Sequence, residues 1–126
     1  MERWLGPWSD YGYGVLRIVA ALLYLSHGTQ KLFGFPGGHA VVGNRLLQTA
    51  VVIELVAGFL IALGLYTSYA ALLASGQMAA AYFIVHIWKG FWPIVNRGEL
   101  PVLFCFLFLF IAFRGAGPLS LDRVRG

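Results

Sequence analysis

The chain has 126 residues, of which 60% are hydrophobic and 11% are charged, and its mean hydropathy is +0.77. A soluble domain of this length has too small an interior to bury that much apolar surface, so a water-soluble fold is excluded and membrane lipids are expected as part of its solvent. The net charge of +4 comes from lysines and arginines scattered singly between apolar runs, which argues against a nucleic-acid partner.

Four apolar segments are long enough, or nearly so, to cross a membrane as helices, which takes about 20 residues. They cover about residues 14–33, 46–66, 69–88 and 99–113 of one domain that spans residues 1–126. The connections, such as "GFPGGH" (34–39) and "KGFWPIVNRGE" (89–99), contain the Pro, Gly and Asn that end helices. Because short connections favour antiparallel neighbours, the sequence predicts an all-α, four-helix transmembrane bundle with up-down antiparallel topology.

The basic residues near the predicted helix ends indicate an orientation. The set on the side of the two termini slightly outnumbers the set on the other side, which consists of Lys31, Arg45, Lys89 and Arg97. The terminal set consists of Arg3, Arg17, Arg114, Arg123 and Arg125. The positive-inside rule therefore predicts a multi-pass protein of the cell inner (plasma) membrane with both termini in the cytoplasm.

Polar side chains gather toward the end of the first predicted helix, in "YLSHGTQKLFGF" (24–35). Ionisable residues inside a membrane are costly and usually face the interior of a helix bundle. With a helical rise of about 1.5 Å per residue, His27 lies roughly 9 Å inside one surface of the membrane, and Glu54 lies roughly 12 Å inside the same surface. Lys31 lies one turn nearer that surface. Antiparallel packing of the first two helices is therefore predicted to bring His27 and Lys31 to face Glu54.

Helical periodicity supports this arrangement only in part. Tyr24, His27 and Lys31 fall on one face of the first helix. On the third helix, a straight α-helical spacing places His86 on the face opposite Gln77. Only one of these two side chains is therefore expected to point toward the cluster.

The His/Lys/Glu cluster has two main interpretations. A carboxylate and an ammonium that meet inside the membrane reduce each other's desolvation cost, so the pair would serve as a structural clamp between helices. Alternatively, the cluster binds a polar head group that enters from the membrane. Proton relay and metal binding are further alternatives, although the single cysteine, Cys105, permits no thiolate metal cage and no metal site is assigned. The candidate ligand-binding residues are His27, Lys31, Glu54, Gln30, Tyr24, Asn96 and Glu99, and the candidate ion-pair residues are Arg17, Lys31 and Glu54.

Three stretches of the chain resemble the DoxX family. They are "LRIVAALLYLSHGTQKLFG" (16–34), "VIELVAGFLIALGLYT" (52–67) and "NRGELPVLFCFLFLFIAFRGAGPLSLD" (96–122). The resemblance implies a four-helix integral membrane protein in a redox setting, because the family name comes from a subunit of a thiosulfate:quinone oxidoreductase. It also implies a functional role for the polar residues on these stretches, which are Arg17, His27, Gln30, Lys31, Glu54, Asn96 and Glu99.

The cluster and the resemblance together lead us to expect a membrane subunit of a quinone-linked oxidoreductase, with a quinone or polar head group bound in one half of the bilayer. The sequence has no flavin fingerprint and no iron–sulfur spacing, so no intrinsic cofactor is expected and electrons would come from other redox subunits. Axial ligation of a haem by two histidines is a further alternative. No catalytic residue is assigned.

Two other functions are consistent with the sequence. One is a non-catalytic membrane anchor or accessory subunit of a larger respiratory or redox complex. The other is a small transporter or channel, which would need a homo-oligomer because four helices are few for a pathway of their own.

Overall fold

The computed structural model describes residues 1–38 and 43–125, and within those ranges the chain is all-helical and contains no β-strand. The long helices of the described ranges are α1 (Ser9–Phe33), α2 (Arg45–Leu63), α3 (Thr67–Ala81) and α4 (Glu99–Arg114). Short helical segments occupy Glu2–Leu5, Gly6–Trp8, Pro93–Asn96 and Leu121–Arg125. His39, the last residue of the predicted break at 34–39, lies outside the described residues.

Local sequence signals define both ends of α2. Asn44 is its N-cap, and the side-chain oxygen of Asn44 accepts a hydrogen bond from the Leu47 N–H at 2.8 Å. The helix ends at Leu63, and its C-cap residue is Gly64, whose φ of +69° is a left-handed conformation that glycine adopts without strain. A Cβ at Gly64 would also overlap Ser120, because the C-terminal segment packs directly on this turn.

The third helix changes geometry before it ends. After Ala81 it continues as a π-helical segment (Tyr82–His86) and then as a 3-10 turn (Ile87–Lys89). A π-helical turn holds more residues than an α-helical turn, so side chains beyond it are rotated relative to a straight α-helix. This rotation decides where His86 points.

The helices pack in pairs, α1 with α2 and α3 with α4, and α2 also contacts α3. Aromatic rings fill the centre: the Tyr24 and Phe108 ring centroids are 4.9 Å apart, and those of Phe104 and Phe108 are 5.4 Å apart. Small residues make the closest contacts between helices. These buried small residues are Ala20, Ala21, Ala57, Ala70, Ala71 and Ala74.

Among the residues described, two helical segments are long and apolar enough to cross a membrane, Arg45–Leu63 and Thr67–Lys89. By contrast, α4 has only 16 residues, and α1 carries Arg17 and Lys31 in its apolar part. Large apolar side chains cover the outer surface, as expected of a protein that contacts lipid. Membrane crossing by all four long helices stays a prediction.

Candidate functional site

The close approach of α1 to α2 depends on Gly28. A Cβ at this position would lie 3.1 Å from the Cβ of Glu54 and 3.1 Å from side-chain atoms of Leu55. Such contacts are tighter than ordinary van der Waals contact, so any larger residue would push the helices apart. The glycine therefore places Glu54 directly against the part of α1 that carries His27 and Lys31.

Glu54 is fully buried and forms an ion pair with Lys31, whose Nζ donates to Oε1 at 2.7 Å. From α3, the Gln77 Nε2 donates to the same oxygen at 3.3 Å. The Tyr24 hydroxyl in turn donates to the Gln77 Oε1 at 2.9 Å. The structure thus brings Tyr24, Lys31 and Glu54 into one hydrogen-bonded network, to which Gln77 contributes from a third helix.

The second carboxylate oxygen of Glu54, Oε2, takes no part in this network. Oε2 is buried, and none of the described residues gives it a hydrogen bond. An unsatisfied buried polar atom costs about 1–3 kcal/mol, and more when it is charged. Oε2 is therefore free to accept a hydrogen bond from a molecule next to Glu54, whereas Oε1 already accepts two.

Glu54 and Lys31 lie on the wall of a cavity of about 390 Å³, here called the Glu54 cavity. Its volume falls in the range of small-molecule sites, which is about 300–1,000 Å³. Its apolar wall includes Met78 and Phe104. The ring of Phe104 stands perpendicular to the ring of His27, with centroids 6.1 Å apart. The polar residues of the wall are His27, Lys31, Glu54, His86 and Arg97.

His86 also lines the Glu54 cavity, and Gln77 bonds to Glu54 from the same helix. The expectation that only one of these two side chains reaches the cluster is therefore wrong. Its physical reason is the π-helical segment that ends at His86, which breaks the straight α-helical spacing. The His86 Nδ1 lies 3.1 Å from the Asn96 carbonyl oxygen, and its ring stacks on Tyr82.

Asn96 has a different role from the one proposed for it as a ligand-binding candidate. It is fully buried, and its Nδ2 donates to the Tyr82 hydroxyl at 3.0 Å and to the Gly90 carbonyl at 2.8 Å. Its Oδ1 accepts from the Gly98 N–H at 2.8 Å. These bonds hold the connection between α3 and α4, so Asn96 supports the position of His86 rather than lining the cavity.

Two other candidates lie away from the cavity wall. Gln30 is exposed, and its Nε2 donates to the Gly37 carbonyl at 2.8 Å, which ties down the chain after α1. Glu99 is exposed at the first position of α4, where the positive end of the helix dipole stabilises a carboxylate. Neither side chain is placed to contact a ligand next to Glu54.

Arg17 is fully buried but lies about 14 residues before Lys31 on α1, roughly 21 Å away. Arg17 was a candidate for an ion pair, but within the described residues its guanidinium has no salt bridge. Its guanidinium instead donates to four backbone carbonyls. They belong to Ile61 at 3.0 Å, Pro118 at 3.1 Å, Leu119 at 2.8 Å, and Ala116. The C-terminal segment, which folds back onto α1 and α2, supplies three of them.

Three contributors to the site were not among the candidate residues named from the sequence. Gln77 and Arg97 were visible only as polar residues among apolar ones, and the position of Arg97 at a helix end made it look like an orientation signal. His86 was visible as a histidine in an apolar helix. A rule that every polar side chain in a membrane helix faces the interior would have found Gln77 and His86.

The chain shows clear similarity to known proteins. The DoxX family model matches residues 12–87, which include His27, Lys31, Glu54 and His86. An uncharacterized protein of Haemophilus influenzae is 45% identical over an alignment 126 residues long. This alignment includes 94% of this chain and 94% of that protein. A second uncharacterized protein of Haemophilus influenzae is 32% identical over 71 residues, which cover 56% of this chain and 47% of that protein. No solved structure matches.

Proposed function

The chain belongs to the DoxX family, and from that premise we propose that it is a membrane subunit of a quinone-linked oxidoreductase system. The quinone head group would bind in the Glu54 cavity. The observation that carries this proposal is the cavity itself, in which an ion pair and two histidines meet apolar and aromatic walls. Such walls with a few convergent polar groups are typical of sites for flat organic rings.

The polar residues suit the chemistry of a quinone. A quinone oxygen accepts hydrogen bonds, and Lys31 and Arg97 on the cavity wall are donors. Its reduction adds protons as well as electrons, and Glu54 and His86 are side chains that exchange protons. Electrons would come from a partner subunit, since this proposal assigns no electron carrier to the chain.

A second cavity supports access from the lipid. It has a volume of about 220 Å³, and its walls are mostly apolar side chains of α2 and α3. It shares four lining residues with the Glu54 cavity: Lys31, Leu47, Ala81 and Val85. The hydrocarbon tail of a membrane quinone would lie in this groove while its ring reaches Glu54.

The proposal includes a topology in which all four long helices cross the inner membrane in up-down order, with both termini in the cytoplasm. The 25 residues of α1 extend about 37 Å, which is enough to span the hydrocarbon core. Arg17 is turned inward and Lys31 is half-buried, so α1 carries little charge toward lipid. The excess of basic residues near the termini supports the orientation.

The test is whether quinone remains bound to the purified protein. The chain is reconstituted in nanodiscs made with host lipids, and extracted quinone is quantified by chromatography. We expect about one quinone per chain above the content of nanodiscs without protein. Ala81→Phe, which puts a ring between the two cavities, should remove it. Leu72→Phe, at an exposed position of the same helix, should not. Equal quinone with and without the protein would refute the proposal.

The second candidate is a non-catalytic accessory subunit. Exposed aromatic side chains after α3 favour it: Trp88 is 83% exposed, Phe91 70% and Trp92 65%. They suit either the membrane interface or a partner surface. Stable co-purification with a soluble dehydrogenase or a cytochrome, together with no bound quinone, would support this function instead.

A further inference from the structure

We propose that the Glu54 cavity selects the reduced, hydroxyl-bearing form of its ring ligand, a quinol, over the oxidised quinone. The inference rests on the proposed function and goes further, because it names the redox state that the site prefers. The selecting atom is the Glu54 Oε2.

The Glu54 Oε2 is a hydrogen-bond acceptor to which no described residue donates. The Lys31 ammonium and the Gln77 amide both bond to Oε1, and within residues 1–38 and 43–125 no group donates to Oε2. A carboxylate paired with an ammonium accepts hydrogen bonds at both oxygens. The Glu54 side chain is 1% exposed, so this oxygen lies away from the outer surface of the protein. A ligand donor would remove the cost of leaving it unpaired.

The two redox forms of a quinone differ at this atom. The oxygens of a quinone are acceptors only, so a quinone oxygen next to Oε2 would bring two lone pairs together. A quinol hydroxyl donates to Oε2, and its oxygen still accepts a bond from the Lys31 ammonium. The reduced form therefore satisfies both members of the ion pair, and the oxidised form satisfies only Lys31.

His86 supplies a second acceptor in the same cavity. Because the Asn96 carbonyl oxygen only accepts, the Nδ1 that lies 3.1 Å from it carries a proton. In the neutral ring the other nitrogen, Nε2, is then an acceptor. A ring with two hydroxyl groups offers one donor to Glu54 and another to His86, whereas a quinone offers none.

Binding measurements on the unaltered protein test the selection. The probes are 2,3-dimethoxy-5-methyl-6-decyl-1,4-benzoquinone, its hydroquinone, and the dimethyl ether of that hydroquinone. Each is titrated anaerobically into nanodiscs that contain the protein, and binding to empty nanodiscs is subtracted. A hydrogen bond to a charged acceptor predicts that the hydroquinone binds at least about tenfold more tightly than the quinone. The dimethyl ether, which keeps the ring but lacks both donors, should bind no more tightly than the quinone.

Glu54→Gln reverses the hydrogen-bonding character of the selecting position. The amide oxygen would face Lys31, and the amide NH₂ would take the place of Oε2, so an acceptor becomes a donor. The quinone should then bind more tightly than the hydroquinone. Glu99→Gln makes the same chemical change at an exposed position outside the cavity and should leave the wild-type preference unchanged.

The outcomes separate this inference from the proposed function. If the wild-type protein binds the quinone as tightly as the hydroquinone, the selection is refuted and quinone binding stands. If the dimethyl ether binds as tightly as the hydroquinone, the hydroxyl donors play no part and the selection is also refuted. If none of the three probes binds, both proposals fail.

Discussion

Substitution of Lys31 should show how much the buried ion pair contributes to the free energy of unfolding. Breaking a buried pair by deleting one partner costs about 3–5 kcal/mol. The Lys31 side chain is 29% exposed and Gln77 still donates to Glu54, so Lys31→Met should lower the free energy of unfolding by about 2–3 kcal/mol. Glu54→Leu should cost only about 1 kcal/mol, because the lysine left behind extends toward the surface.

The double variant Lys31→Met/Glu54→Leu removes both charges and should lie within about 1 kcal/mol of the wild-type protein, which gives a coupling energy of at least about 2 kcal/mol. The assay is reversible unfolding in lipid-containing micelles, followed by circular dichroism. Asp10 and Arg114 form a matched control pair at 2.6 Å with exposed side chains, whose coupling should stay below about 1 kcal/mol. Additive effects of the Lys31 and Glu54 substitutions would refute the reasoning. A stable double variant that no longer binds quinone would show that the pair serves the site as well as the fold.

Two further predictions concern the other end of the molecule. Arg17→Met should lower the free energy of unfolding by more than about 3 kcal/mol, since it deletes all four hydrogen bonds from a charged group, and Arg17→Lys should recover only part of that loss. A loss below about 1 kcal/mol in denaturant unfolding would contradict this role. Asp122 accepts hydrogen bonds from the backbone N–H groups of Tyr66 and Thr67 at 2.9 and 3.0 Å. Partial burial raises the pKa of Asp122, but these hydrogen bonds and the charge of Arg125 outweigh it and lower its pKa below the ordinary value of 3.8. Its stabilising contribution is therefore complete above pH 3.8 and disappears as the pH falls through the lower folded pKa, so Asp122→Asn should reduce Tm at pH 7 but not in strong acid. An equal reduction at both pH values would rule out the carboxylate as the cause.

Much of the helical pattern could be predicted from the sequence because its signals are local. Pro and Gly mark the connections, and α4 begins at Glu99 as predicted. The meeting of Lys31 with Glu54 followed from the helical rise and from antiparallel packing, which relate depth in the membrane to position in the chain. Predictions of this kind need only the regular geometry of an α-helix.

The errors arose where the backbone departs from that geometry or where a partner comes from a distant part of the chain. No periodicity reveals that α3 becomes a π-helix at Tyr82, so straight α-helical spacing placed His86 opposite Gln77 and allowed only one of them near the cluster. Arg17 was a candidate for an ion pair, but three of the carbonyl groups to which it donates belong to a segment about 100 residues later in the chain. Backbone carbonyls carry no sequence signal, because every residue has one.

Arg17 and Glu54 are both charged and fully buried, but their hydrogen-bond networks differ. The Arg17 guanidinium uses all three of its nitrogens to bond with backbone carbonyls, so its network is complete without a ligand. Glu54 has one oxygen in a network and another that the described part of the chain leaves without a donor, on the wall of a cavity. A protein gains nothing in stability from leaving a buried carboxylate oxygen unpaired. The incomplete network at Glu54, next to a cavity, thus supports the proposal that a ligand binds at this end of the helices rather than at Arg17.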